Sequence, residues 1–381
     1  MKICETPAPA EKDNHRMRNF GGLMLNMERE SPLQGDVLES ILSHVPTIDL
    51  LPALHVSKSW RRSALSSIRR RQRRPWLLIH LISRRRRRGL FTAYDPYSHS
   101  WHTLPHVIPS PPITCHLLPL ALPLQPLAAT WSLLPPPLLH RHDALIGLVG
   151  SRIILAGGVC DLGDRTCAVE SLSLGSSSFA WENCEPMPES LLESAAATWL
   201  ATAASNSRFY VMERGSADAC RLAWFDLAAG RWSPVRPVRL GSEISRISAI
   251  GMGPASHDGE DRLVIVGLTD CGQLVIWEVE PENLEIREIG SLPAEAVARI
   301  AGEGEERSPA VGFSNVGGFG FLYNLEGRGE IFACEFGDGK LSWEAIGWPP
   351  AAEEDPTAMV VFRCAEPTLD DLKSVYGQRV S

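Results

Sequence analysis

The sequence predicts a small all-α module followed by an all-β propeller, with six blades and a C-terminal strand closing the ring. Three observations carry this. Residues 31–65, SPLQGDVLESILSHVPTIDLLPALHVSKSWRRSAL, read as three short amphipathic helices. From Pro75 onward the pattern turns to short strands separated by glycine and polar turns. Within that region a strand led by tryptophan or isoleucine and running into proline recurs at roughly 50-residue intervals, the length of a four-stranded blade with its connections.

The helical module is readable residue by residue. Asp36 is placed as an N-cap, with Glu39 three residues on as in a capping box. Val37, Leu38, Ile41, Leu42 and Val45 then form two adjacent rows at i/i+4 spacing, so one side of the helix is apolar. Pro46 stops that helix, because proline cannot continue the backbone ladder. Leu50, Leu51, Leu54 and Val56 form a second apolar segment, and Ser57 caps a third carrying Trp60 and Leu65. Three helices in so few residues bury too little surface to stand alone, so the module needs a partner.

The strands follow in groups. The first has three (76–82, 90–95, 100–104), and four-stranded groups span 144–184, 195–235, 246–290 and 308–347. The marks begin at Trp101, Trp131, Trp181, Trp232, Ile286 and Trp343, with gaps of 30, 50, 51, 54 and 57 residues. Six marks give six blades. The spare strand AMVVFRC (358–364) is expected to complete the first blade, since closure leaves no open sheet edge. The second blade, 113–136, is expected to be degenerate and proline-rich. No charged residue stands between Asp95 and Arg141, yet six prolines between Leu117 and Leu139 would break a membrane helix repeatedly.

Composition narrows the function classes. The 381 residues hold 44% hydrophobic residues and 11 tryptophans, ample for a core. Nine scattered cysteines with no C-x-x-C pair argue for reduced thiols in the cytoplasm or nucleus, without a disulfide framework or zinc site. The N-terminal stretch, taken as a flexible segment over 1–28, has no apolar run of the kind a secretion signal needs. Residues 1–90 carry 18 Lys+Arg against 8 Asp+Glu, while the rest carry 19 against 37. Two runs, 69–74 (RRRQRR) and 84–88 (five arginines), make the basic part. They read as a solvated helix end and a solvated hairpin tip, or as a nuclear import signal. Nucleic-acid contact is disfavoured because no base-stacking aromatics interleave with them.

The order of Leu33, Asp36, Val37, Leu38, Ile41, Leu42, Val45, Pro46, Asp49, Leu50, Val56, Ser57, Lys58, Trp60 and Arg61 resembles an F-box, with Gln34 where that family usually has proline. The glycine pair of ILAGG (154–158), and aromatic-acidic turns such as Tyr94-Asp95 and Phe225-Asp226 shortly before a tryptophan, resemble the kelch repeat. Together they are similar to the plant F-box/kelch-repeat proteins over about residues 31–364. The resemblance implies an F-box at 29–74, a kelch propeller at 75–365 and a C-terminal tail at 366–381. It also implies a substrate receptor of an SCF-type ubiquitin ligase. On this reading Leu33, Val37, Leu38, Ile41, Leu42, Val45, Pro46, Leu50, Val56, Ser57 and Trp60 bind a Skp-type adaptor and, through it, a cullin. A protein substrate, for some family members an enzyme of phenylpropanoid or flavonoid biosynthesis, would meet propeller loops bearing Asp161, Arg165, Arg214 and His257. A kelch scaffold outside any ligase is the alternative.

No catalytic residue, metal or cofactor is expected. G-x-S-x-G, phosphate-loop and paired-carboxylate signatures are absent from the sequence. Five tyrosines are few for a propeller oxidase, and His140-Arg-His142-Asp143 lacks a third ligand at a recognisable spacing. The acidic stretches 303–306 and 353–355 read as solvated turns or as contacts to a basic surface.

Overall fold

The computed structural model describes residues 35–71, 74–82, 89–104, 121–122, 127, 132–175, 180–215, 220–241, 243–255, 259–302, 310–337, 340–349 and 359–380. Helix α1 (Gly35–Ser43) buries Leu38 and Leu42, one i/i+4 row. Asp36 falls inside its first turn and so is not the cap. A carboxylate there still complements the positive end of the helix dipole. Glu39 reaches outward to Arg70 at 3.1 Å instead of back to a cap. The helix ends three residues before Pro46, and two 3₁₀ turns, Ile48–Leu50 and Pro52–His55, carry the second apolar segment. Ser57 is the cap expected of it: its Oγ accepts from Trp60 N at 3.3 Å, opening α2 (Lys58–Arg71).

The chain then lays down its sheets in sequence order. The first contains β1 (Trp76–Ile82), β2 (Gly89–Asp95) and β3 (Ser100–Leu104). A pair follows, β4 (Ala121–Leu122) with β5 (Ser132–Leu133). Next come β6 (Leu145–Val149), β7 (Arg152–Ala156), β8 (Val169–Ser173) and β9 (Trp181–Cys184). The following sheet has β10 (Leu200–Ala204), β11 (Arg208–Glu213), β12 (Cys220–Asp226), β13 (Arg231–Trp232) and β14 (Arg236–Val238). Then come β15 (Ile244–Met252), β16 (Leu263–Thr269), β17 (Leu274–Val279) and β18 (Ile286–Leu292). Helix α3 (Ala294–Ala301) leads to β19 (Val311–Val316), β20 (Phe319–Asn324), β21 (Phe332–Gly337) and β22 (Lys340–Ala345). Finally β23 (Met359–Ala365) pairs antiparallel with β1, Trp76 opposite Ala365 and Ile82 opposite Met359. The C-terminal strand thus completes the first blade, as the spare strand implied.

The blade count is corrected. Five sheets of four or more strands form the propeller, and the expected sixth contributes only the β4–β5 pair among the described residues. Four strands and their turns fit poorly into a 30-residue interval, and Pro119, Pro123, Pro126, Pro135 and Pro136 each remove a ladder donor. The inner strands follow one another around an axis, β6 on β10, β10 on β15, β15 on β19 and β19 on β23. They enclose a cavity of about 380 Å³ lined by Ile146, Thr202, Gly251, Asn315 and Arg363 among others. The glycine pair has a geometric cause. Gly157 and Gly158 sit at φ +62° and +106°, and a Cβ on Gly157 would stand 2.6 Å from the Ala195 carbonyl oxygen.

The helical module shares its core with the first blade. Leu38, Leu42, Ile48, Leu50 and Ile68 form one cluster with Trp76, Leu78, Phe91, Ala93 and Leu104. Residues 366–381, expected as a tail, contain α4 (Leu369–Val380), whose Leu372 and Val375 enter the same cluster. Thr368 caps it, donating to Asp371 Oδ2 at 2.6 Å and accepting from Asp371 N at 3.2 Å, so TLDD is a capping box the sequence reading passed over. Among the described residues no helix is long and apolar enough to cross a membrane.

A shared core makes a specific demand on stability. Leu372→Ala should cost about 2–5 kcal/mol through the cavity it leaves. The loss should appear as one lowered thermal transition seen alike by helix-sensitive and tryptophan signals of the full chain. A propeller that melts at its original temperature after this change would separate the two parts.

Candidate functional site

The junction between module and propeller is polar as well as apolar. Thr47 donates through Oγ1 to Asp95 Oδ2 at 2.7 Å and through its backbone N–H to the same oxygen at 3.3 Å. Asp95, at the end of β2, also accepts from Tyr97 N at 2.9 Å, which fixes the turn into β3. Arg71, last residue of α2, points its guanidinium at the end of α1. It donates to Leu42 O at 2.7 Å, Ser43 O at 2.9 Å and Val45 O at 2.5 Å, and stacks 4.6 Å from the Tyr97 ring centroid. These are the orphan carbonyls that a helix C-terminus must satisfy. Burial lowers the Arg71 pKa, and the charges of Asp95 and Tyr97 oppose that shift.

Part of the first arginine run is therefore structural and not a solvated helix end. Arg71 is buried, and Arg74 pairs with Glu335 at 2.7 Å and lies over the Phe319 ring. Arg69 and Arg70 remain exposed. The second run, 84–88, lies outside the described residues.

The apolar rows of the module divide cleanly. Val37, Ile41 and Val56 are 60%, 44% and 57% exposed, whereas Leu38, Leu42 and Leu50 are 0–3% exposed and committed to the shared core. Val45, Pro46, Ser57 and Trp60 are half-buried, and Leu33 lies outside the described residues. Val37 and Ile41, one i/i+4 row of α1, are exposed together, and Val56 is exposed just before α2, large apolar side chains left open to a partner.

The loop residues fall on two ends of the propeller. Leu145 pairs with Ala156, so the loop after β7, bearing Asp161 and Arg165, lies where the inner strand β6 begins. Leu200 pairs with Glu213, so Arg214 lies at the same end. The module sits at the other end, since Trp76 is opposite the last residue of β23 and Asp95 closes β2 there. The stretch 254–261 joins β15 to β16 at the module's end, and its His257 lies outside the described residues. Asp161 Oδ1 is 3.0 Å from His140 Nδ1, and Arg165 donates to the Glu193 carbonyl.

The sequence His140-Arg141-His142-Asp143 is a brace. Arg141 and Glu170 form a fully buried pair at 3.1 Å, and Glu170 also accepts from Leu138 N at 2.6 Å and Leu139 N at 3.1 Å. Asp143 accepts from the Thr198 hydroxyl at 2.7 Å, tying this connector to the next blade. Among the described residues no three His, Cys, Asp or Glu side chains are grouped to hold a metal.

The F-box domain family matches residues 33–72. The F-box/kelch-repeat protein At1g23390 of Arabidopsis thaliana is 31% identical over 385 residues, 93% of this chain and 95% of that protein. The solved structure of YjhT aligns at 10% identity with a TM-score of 0.39, over 57% of this chain and 68% of that one. The helical module is thus an F-box, and the class is an F-box rooted in a β-propeller. Identity over nearly the whole length is more specific: the chain belongs to the F-box/kelch-repeat protein family.

Arg71 offers the direct check of how the F-box is held. Arg71→Ala strands two α1 carbonyls, Leu42 O and Ser43 O, and the Val45 carbonyl beyond it, and should cost about 1.5–3 kcal/mol in urea unfolding. Stability unchanged from the native chain would mean that water replaces the guanidinium without loss.

Proposed function

We propose that this chain is the substrate-recognition subunit of an SCF-type ubiquitin ligase, binding a Skp-type adaptor through its F-box and a target protein through the propeller. The observation that carries the reading is the exposed Val37–Ile41 row of α1, with Val56 also exposed, on a module matched as an F-box. Full-length similarity to an F-box/kelch-repeat protein supports the same role. The chain supplies no chemistry on this reading. It raises the concentration of a substrate beside the transferring centre of another protein, an effective-concentration effect.

Within the F-box, the exposed and buried rows have different parts. Val37, Ile41 and Val56 are the contact residues, with the half-buried Val45, Pro46 and Trp60 at their margin. Leu38, Leu42 and Leu50 shape the helix from beneath. Leu33 is proposed as a contact on the family pattern alone.

Paired substitutions test this. Val37→Asp with Ile41→Asp should abolish capture of a purified Skp-type adaptor and cost no more than about 1 kcal/mol of stability, because both side chains are exposed and outside the shared core. Leu38→Asp with Leu42→Asp should instead unfold the chain, since two charges would enter the shared core. Adaptor capture that survives the first pair removes the proposed contact surface.

A further inference from the structure

The two basic side chains are unevenly used along this chain. Of its 37 Lys and Arg residues only five are lysines: Lys2, Lys12, Lys58, Lys340 and Lys373. The 265 residues of 75–339, most of the propeller, hold 20 arginines and no lysine. Lysine is otherwise among the commonest residues of soluble domains. Outside that stretch five of 17 cations are lysines, so a chain-wide preference for arginine does not account for the gap.

Part of the bias is required by the fold. Arg141 donates to Leu155 O and pairs with Glu170 in full burial, and Arg214 donates to Leu200 O and reaches Ser248 O. A planar fork does this work and a flexible ammonium does not. That reason fails at the surface. Arg231 and Arg239 are exposed, and Arg328 stands 3.9 Å from Glu326 with both side chains largely in solvent. An exposed pair of this kind contributes little to stability, and lysine would serve it as well.

The described lysines share one end of the molecule. Lys58 opens α2 and Lys373 lies on α4, both in the helical part. Lys340 begins β22 opposite Gly337, two residues beyond the Glu335 that pairs with Arg74 just after α2. Arg239 follows β14, which ends opposite the start of β12, and Arg328 follows β20, whose last residue faces the start of β19. Both therefore lie at the end remote from the F-box, where arginine has wholly replaced lysine.

Ubiquitin transfer separates these two side chains chemically. A lysine amine, once deprotonated, attacks the carbonyl carbon of the ubiquitin thioester on a carrier cysteine. The C–N bond forms, the C–S bond breaks, and the amine's remaining surplus proton goes to the departing thiolate. A guanidinium stays protonated and offers no such nucleophile. Proximity does not discriminate between target and receptor, since an amine on the propeller would share the raised effective concentration.

We infer that the propeller is built without ubiquitin acceptors, so that the ligase passes ubiquitin to the bound target and spares its own receptor. The inference rests on the receptor reading and adds to it a rule for where transfer does not occur.

The test assembles the full chain with its adaptor, a cullin core, activating and conjugating enzymes, ubiquitin and ATP. Self-modification is followed on gels and mapped by mass spectrometry, and the native chain should be modified slowly. Arg231→Lys, Arg239→Lys and Arg328→Lys combined keep the charge and should leave the circular dichroism spectrum unchanged. They should raise self-modification about tenfold, at the new lysines, because an amine now stands within reach of the transferring centre. Adding Val37→Asp and Ile41→Asp should remove that gain by uncoupling the chain from its adaptor. An assembled complex whose new lysines stay unmodified overturns the inference, as does a gain that survives loss of the adaptor. Adaptor capture, read separately, identifies the other failure: a native chain that never joins the adaptor overturns the receptor reading, and this inference with it.

Discussion

The pairing of β23 with β1 is the contact on which the rest of the molecule depends. Seven residue pairs, from Trp76–Ala365 to Ile82–Met359, join the two ends of the propeller. Without them the first blade would lack its inner strand and the ring would keep two open edges. The same pairing delivers α4 to the F-box, because Ala365 is only a few residues from Thr368 and its cap. A β-sheet closure therefore determines where a helix lands. The F-box gains its lower wall from a segment more than 300 residues away in sequence.

That arrangement has a mechanical consequence. A receptor that works by proximity benefits from fixed geometry between its two binding ends, since a loose joint spreads the substrate over positions from which transfer is unproductive. Here the joint is a shared apolar core, the Thr47–Asp95 hydrogen bonds and the Arg71 fork on the α1 carbonyls. A hinge would need low local packing and solvated backbone contacts, and this junction has the reverse. The F-box and the loops bearing Asp161, Arg165 and Arg214 occupy opposite ends of the propeller, so the sheets form the spacer between them.

Much of this was legible in the chain and some was not, for definite reasons. The F-box helices, the Ser57 cap, the strand groups and the closing strand follow from apolar period and turn residues, which act locally. The choice between the Val37–Ile41 row and the Leu38–Leu42 row does not. Both rows are equally apolar and one helical step apart, and only the position of blade one and α4 decides which is covered. The sixth blade failed for a related reason. The aromatic-proline mark at Trp131 records one strand's end, and a mark of that kind says nothing about whether three further strands fit before it. Arg71 was hidden within a run whose charge suggested solvent, although a guanidinium can satisfy several carbonyls at once. The TLDD cap of α4 was readable and shows that a short polar ending can still hold a packed helix. Among the propeller loops, Asp161, Arg165 and Arg214 share one end, but sequence spacing could not say so. That follows only from the direction in which each blade is wound.

Buried arginines carry the last distinction. Arg71 and Arg141, together with the half-buried Arg214, do similar backbone work, each donating to carbonyls where regular structure ends or blades meet. Their counter-charges differ. Arg71 has Asp95 close by, and Arg141 has Glu170 in a fully buried pair, so both are electrically complete within the fold. Arg214 directs its donors to Leu200 O and Ser248 O and so joins two blades. A planar guanidinium satisfies several carbonyls at once, which a single-donor side chain of similar length cannot do, and this is why one stands at each place where a backbone ladder stops short of the next element.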